Sequence, residues 1–199
     1  MRISITCISL IALLVGSVLT GDVTKAEDEQ FSPVYMELME KLEDLNPHET
    51  IQVKMGVEKE RYDIGDPFEI RFQASEDSYI TLMDISTNGD ITFIAPSQQV
   101  RDTQIEGGRV YSTLYDFDLN ITIAPPIGVE VINLFCSAEK VQLFETTFEQ
   151  TPFYTISKDD EEELKQLIAR LDRFKDVEWS GSSVKVLIGP QSRAVPRKY

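Results

Sequence analysis

A chain of 199 residues that is 42% hydrophobic and 27% charged has the composition of a folded protein, not of a disordered tail. At this size a domain buries roughly 70% of its unfolded surface and needs no staple to fold. With 34 acidic against 19 basic residues the net charge is −15, which repels phosphate backbones and anionic headgroups and argues against nucleic acid or a membrane surface as partner. Plain solubility explains such a charge; the alternative is a basic partner or a bound cation.

The chain begins with Met1-Arg2, an apolar run over 3–19 and a polar stretch ending Thr24-Lys25-Ala26. One positive charge, an apolar core and small residues before a cleavage point form the pattern of an export signal, so residues 1–26 are set apart and a periplasmic or secreted location is expected. The competing reading is an uncleaved anchor, since residues 3–21 are just long enough to span a bilayer. Cleavage removes Cys7 and leaves Cys136 alone, without an internal disulfide. Its place in the apolar run 129–136 predicts a buried, inert thiol.

In segment 27–48, Ser32-Pro33 is a helix start, and Val34, Leu38, Leu42 and Leu45 recur at helical spacing up to Asn46-Pro47. The expected helix sits at an edge or end of the domain and is a candidate docking element. From Ile51 onward the period changes to two. Ile51, Val53, Met55 and Val57, then Phe68, Ile70, Phe72 and Ala74, alternate with polar residues as half-exposed strands do. Between them 62–67 must reverse the chain; Gly65 supplies positive φ and Asp66 a carboxylate for nearby amides.

Residues 79–85 are apolar on both faces, as in a central strand covered on two sides. Asn88-Gly89 within 86–90 predicts a type I′ hairpin to the strand 91–95. The polar stretch 96–106 is long for a connection, and long loops on rigid scaffolds are where binding residues sit. Gln98, Gln99, Arg101, Asp102 and Gln104 are therefore binding candidates. Further strands are expected at 110–115, 117–123 and 129–136. Ser157-Lys158-Asp159-Asp160 resembles a capping box for a helix whose apolar stripe is Leu164, Leu167, Ile168, Leu171 and Phe174. A last strand follows at 184–188, and Arg193, Arg197 and Lys198 mark 191–199 as a flexible basic tail. Two inner strands among half-exposed ones imply a mainly β fold over 49–190: an antiparallel β-sandwich with a short N-terminal helix and a C-terminal amphipathic helix packed on it.

Tyr62-Asp63-Ile64-Gly65-Asp66, Asp77-Ser78-Tyr79-Ile80-Thr81-Leu82, Asn88-Gly89-Asp90, Phe93-Ile94-Ala95-Pro96, Glu106-Gly107-Gly108 and Pro126-Ile127-Gly128-Val129-Glu130 follow one another in an order that resembles the bacterial domain of unknown function 4384. The resemblance covers 51–143 and extends to 179–188; it departs where the family has Leu-Phe-Pro and this chain has Ile94-Ala95-Pro96. It implies an exported all-β module, without catalytic residues to carry over. Tyr62, Gly65, Asp66, Asn88, Gly89, Pro96 and Gly128 are read as structural.

His48 is the sole histidine, so neither a zinc site nor an imidazole-based triad is expected, and no cofactor or metal is assigned. Gly107-Gly108 is not a phosphate loop. Tyr79 and Tyr111 are candidate stacking residues if they share an exposed sheet face, and ordinary packing residues otherwise. The expected function is a non-catalytic binding or adaptor module recognising another exported protein. A binding domain for cell-wall glycan or peptide is the alternative. A hydrolase with paired carboxylates comes third; it requires two carboxylates converging in one concave pocket, at least one with a raised pKa.

Overall fold

The computed structural model describes residues 31–48, 50–145, 148 and 151–190. The expected export signal and basic tail lie outside the described residues. The elements in chain order are α1 (Pro33–Glu43), β1 (Val53–Val57), β2 (Arg61–Asp63), β3 (Pro67–Phe68), β4 (Ile70–Ala74), β5 (Ser78–Ile85), β6 (Ile91–Ala95) and β7 (Gln104–Ile105), followed by β8 (Val110–Ser112), β9 (Ile121–Thr122), β10 (Gly128–Ser137), β11 (Tyr154–Ile156), α2 (Glu161–Leu171) and β12 (Trp179–Gly189).

One sheet runs β11-β6-β5-β10-β12-β2, with β7 also paired to β5. Its centre is β5 against β10, in antiparallel register from Val131↔Ile85 to Ser137↔Tyr79. Strand alternation divides the side chains of these two strands between two cores. Ile80 and Leu82 of β5 and Ile132, Leu134 and Cys136 of β10 face inward, onto Ile70, Phe72 and Ala74 of β4 and Tyr111 of β8. That second sheet is β1-β4-β8, and a small pair β3-β9 closes the end of the layer. Met83 and Phe135 point the other way, into a core with Phe93, Trp179, Leu38 of α1 and Leu164, Leu167 and Leu171 of α2. A bulge between β5 and β6 passes from Leu82↔Ala95 to Met83↔Phe93. It skips Ile94, so that Ile94 and Ala95 both enter the inner core.

The expected β-sandwich with two helices is the fold. Several local expectations differ. The helix α1 is docked on the domain: Tyr35 and Leu38 are buried beneath it, and Lys41 Nζ meets Asp172 Oδ1 at 2.6 Å beyond the end of α2. Its apolar stripe is thus occupied within the chain. Residues 61–63 do not merely turn; they form β2, which pairs parallel with β12 at Ile188↔Tyr62. The turn after Ile85 is not type I′, because positive φ falls on Gly89 (91°) and not on Asn88. Ser86 carbonyl instead accepts from the Gly89 N–H at 2.9 Å, and the αL residue follows the turn.

The alternation at 117–123 also yields less strand than its period promised. Asp118 has φ 53°, and the Leu119 N–H donates to Thr113 carbonyl at 2.9 Å, so a coil brings Leu119 and Ile123 into the core and leaves only β9 paired. The helix α2 is capped by Asp160, whose side chain accepts from the Glu163 N–H at 3.1 Å; Ser157 Oγ serves only the Asp159 N–H.

These contacts set expected stabilities in urea unfolding. Leu134, 1% exposed between the two sheets, loses about 2–5 kcal/mol as Leu134→Ala. Asp160→Ala costs about 1 kcal/mol, and Ser157→Ala costs clearly less than Asp160→Ala.

Candidate functional site

Where β5, β6 and β10 run past the end of the second sheet, the inner face of the large sheet is not covered by β4. A cleft of about 300 Å³ opens there. Its floor follows from register. Asp84 continues the inward set Ile80, Leu82, and stands opposite Thr92 of β6 and Ile132 of β10. Thr155 of β11 stands opposite Thr92, and their hydroxyls share a hydrogen bond at 3.0 Å. Glu130, two residues before Ile132, points to the same side and lines the same cleft. The facing wall is apolar: Phe68, Ile121, Ile123, Pro125, Pro126 and Phe153.

The wall is held by backbone geometry around the Tyr62–Asp66 motif. The Gly65 N–H donates to Ile123 carbonyl and the Ile123 N–H to Asp66 carbonyl, both at 2.9 Å. Gly65 has φ 95°, and Asp66 Oδ2 accepts from the Asp63 N–H at 3.2 Å. Tyr62 is buried, edge-on to Phe68 at 5.0 Å, and its hydroxyl accepts from the Lys59 N–H. At the near end Gly128 has φ 143°, and a Cβ there meets the Thr87 side chain. Thr87 Oγ1 donates to Val129 carbonyl at 3.1 Å, which fixes the strand just before Glu130.

The electrostatics of the floor are unusual. Asp84 Oδ1 is, among the described residues, the buried side-chain oxygen without a hydrogen-bond partner. Burial, reinforced by the neighbouring Glu130 charge, pushes its carboxyl up to about 8. Burial also raises Glu130. A buried acid with no donor keeps its proton instead of its charge. Asp90, in the same cleft, is a different case: Asn88 Nδ2 donates to Oδ2 at 2.9 Å and the Lys158 N–H to Oδ1 at 3.0 Å. Asn88, Gly89 and Asp90 thus brace the hairpin end.

The residues expected to bind from sequence are elsewhere. Gln98, Gln99, Arg101 and Asp102, on the loop after Pro96, and Gln104 of β7 are exposed, and none of them lines this cleft. Asp102 Oδ1 accepts from the Gln104 N–H at 3.1 Å, and Arg101 Nε reaches Gln98 carbonyl at 3.4 Å, so part of their hydrogen bonding is spent on the loop itself. Tyr79 and Pro96 line a hollow of only about 30 Å³. Tyr111 is a core residue, stacked with Phe72 at 5.9 Å, and its hydroxyl accepts from the Glu106 N–H at 2.8 Å. The two tyrosines do not form a shared exposed face. A larger hollow of about 540 Å³ lies against β1 and β4, but there Arg71 is held by Glu69 at 2.8 Å. Cys136 is buried as expected, and burial pushes its thiol up to about 12. Among the described residues no group of three or more His, Cys, Asp or Glu is placed to hold a metal ion, and no helix is long and apolar enough to cross a membrane.

Asp84 and Glu130 escaped the sequence reading because nothing in their spacing selects them from the other acidic residues. The available signal was Asp84 breaking the apolar run 79–85 on its inward side. Residues 61–140 match the model of a family described as Domain of unknown function (DUF4384). Both acids fall inside that match, while β1, both helices and β12 fall outside it. Among curated proteins none matches the chain.

The buried acid has a pH signature. Unfolded Asp84 ionises near 3.8 and the folded group near 8, so between those values the folded state binds the extra proton. Stability from this group therefore falls as pH rises through that window, by up to about 1.4 kcal/mol per pH unit. In urea unfolding from pH 5 to 8, Asp84→Asn flattens this slope and is more stable than the parent chain at pH 8.

Proposed function

We propose that this chain, whose residues 61–140 match the model of the family described as Domain of unknown function (DUF4384), is a non-catalytic module that binds a small ligand, a peptide or glycan fragment, in the cleft over Asp84 and Glu130. The observation that carries this reading is the buried Asp84 Oδ1 without a donor on the floor of a cleft with an apolar wall. Buried acceptors are nearly always satisfied, and a concave, mostly apolar hollow with a few polar groups is the ordinary form of a ligand site. The signal-like sequence at 1–26 supports an exported protein, with cell-envelope fragments as the ligands within reach.

The adaptor reading draws less support. The apolar stripe of α1 is used within the fold, and the loop after Pro96 offers only exposed polar side chains. A hydrolase with paired carboxylates is the second reading, favoured by the convergence of Asp84 and Glu130 in one cleft. Such enzymes need environments that push the two acids apart, one protonated and one ionised. Here the same cause, burial, raises both, which fits binding better than acid–base turnover.

Titrating the nitrogen-labelled chain with cell-wall muropeptides and oligosaccharides tests the proposal. A ligand moves the amide resonances of Asp84, Thr92, Glu130 and 121–124, and at a hundredfold excess over Kd stabilises the chain by about 2.7 kcal/mol. Shifts confined to Gln98–Asp102 would place binding on the loop, and release of cleaved product would establish the hydrolase.

A further inference from the structure

We infer that the ligand group seated on the floor of this cleft is an organic cation, an alkyl ammonium or a guanidinium, held between Asp84 and Glu130. The inference rests on the binding reading above and names its ligand class. Three carboxylates, Asp84, Asp90 and Glu130, line the cleft, and no Lys, Arg or His does. An anionic ligand therefore finds no cationic side chain there to receive it.

A neutral ligand meets a shortage of donors. On the sheet side, Ser86 Oγ has one hydrogen to give and lies within hydrogen-bond reach of both the Asn88 side chain and Asp90 carbonyl, and one Asn88 Nδ2 hydrogen goes to Asp90. Thr92 and Thr155 bond each other, leaving one hydroxyl hydrogen between them for two carboxyl groups. Beyond the proton that Asp84 itself keeps, the floor offers its carboxyl oxygens few donors.

An ammonium brings three N–H groups and a guanidinium five, with the charge that two acids in a low-dielectric hollow lack. Ile94 and Ile132 on the floor side and Phe68 and Phe153 around it match a methylene stem, the amphipathic build of a lysine or arginine side chain. The net charge of −15 raises the local concentration of such cations before contact. No cluster of protein ligands for a metal is present among the described residues, so the cation is one that carries its own hydrogen-bond donors.

Calorimetric titration of the full chain with three probes tests this: cadaverine, the tripeptide Ala-Lys-Ala and its isostere with norleucine in place of lysine. The lysine peptide or cadaverine binds at least about tenfold tighter than the norleucine peptide, the worth of a charged hydrogen bond. Asp84→Asn and Glu130→Gln each remove that preference while urea unfolding shows both variants folded. Whichever of cadaverine and the lysine peptide binds tighter identifies a free amine or a basic peptide as the source. Equal affinity for the lysine and norleucine probes, or a preference unchanged in both variants, overturns the cation. A neutral oligosaccharide shifting the cleft amides while no cationic probe does so overturns it and leaves the binding module standing. No response at those amides to any probe or envelope fragment removes both.

Discussion

Covering β5 and β10 on both faces is the constraint from which the rest of the molecule follows. These strands pair along seven residues, and their side chains alternate between a sheet-facing and a helix-facing core. A strand buried on both sides needs two covering layers, and each layer is incomplete without the other. The small sheet β1-β4-β8 hides one face, and α1 and α2 hide the other. Because burial scales with apolar area removed from water, at roughly 25 cal/mol per Å², neither layer can be withdrawn without exposing the central pair.

The cleft is a consequence of unequal coverage. The large sheet has more strands than the small one, so its inner face outruns β4 near the hairpin at 86–90. The turn around Gly65, the short pair β3-β9 and the 123–126 segment arch over that remainder without filling it. Asp84 sits at the point where a continuing apolar strand would have completed the core. Its Oδ1 has lost water and found no donor, and it is this unmet hydrogen bond, more than the hollow itself, that distinguishes the place from a packing defect. Holding such a group costs stability, and natural folds carry costs of this kind mostly at sites of use.

Much of the scaffold was legible in the chain. The alternation at 53–57 and 70–74, the double-faced run 79–85 and the Ser32-Pro33 start each correspond to an element, since period and capping chemistry are local properties. The failures are equally specific. Residues 117–123 carry a strand period yet lie mostly unpaired, because Asp118 adopts a left-handed conformation that periodicity cannot reveal. The cap of α2 fell to Asp160 and not to Ser157, because two capping residues three apart in the chain differ only in where the first helical turn closes. The polar loop 96–106 drew attention for its composition, but Val100 and Thr103 are buried in it and Gln104–Ile105 add a strand to β5, so it serves packing as much as exposure.

By itself the sequence determined the class of the fold, the acidic character of the surface, the burial of Cys136 and the resemblance that residues 61–140 bear out. All of these rest on composition or on neighbours within a few residues. Tertiary structure alone decided which acidic side chains matter: Asp84 and Glu130 lie 46 residues apart in the chain and share a cleft only because β5 and β10 are antiparallel neighbours in one register. Charge and spacing are written along the chain, whereas loss of water and lack of a donor are properties of a place. That place does not exist until the two layers have closed over the sheet.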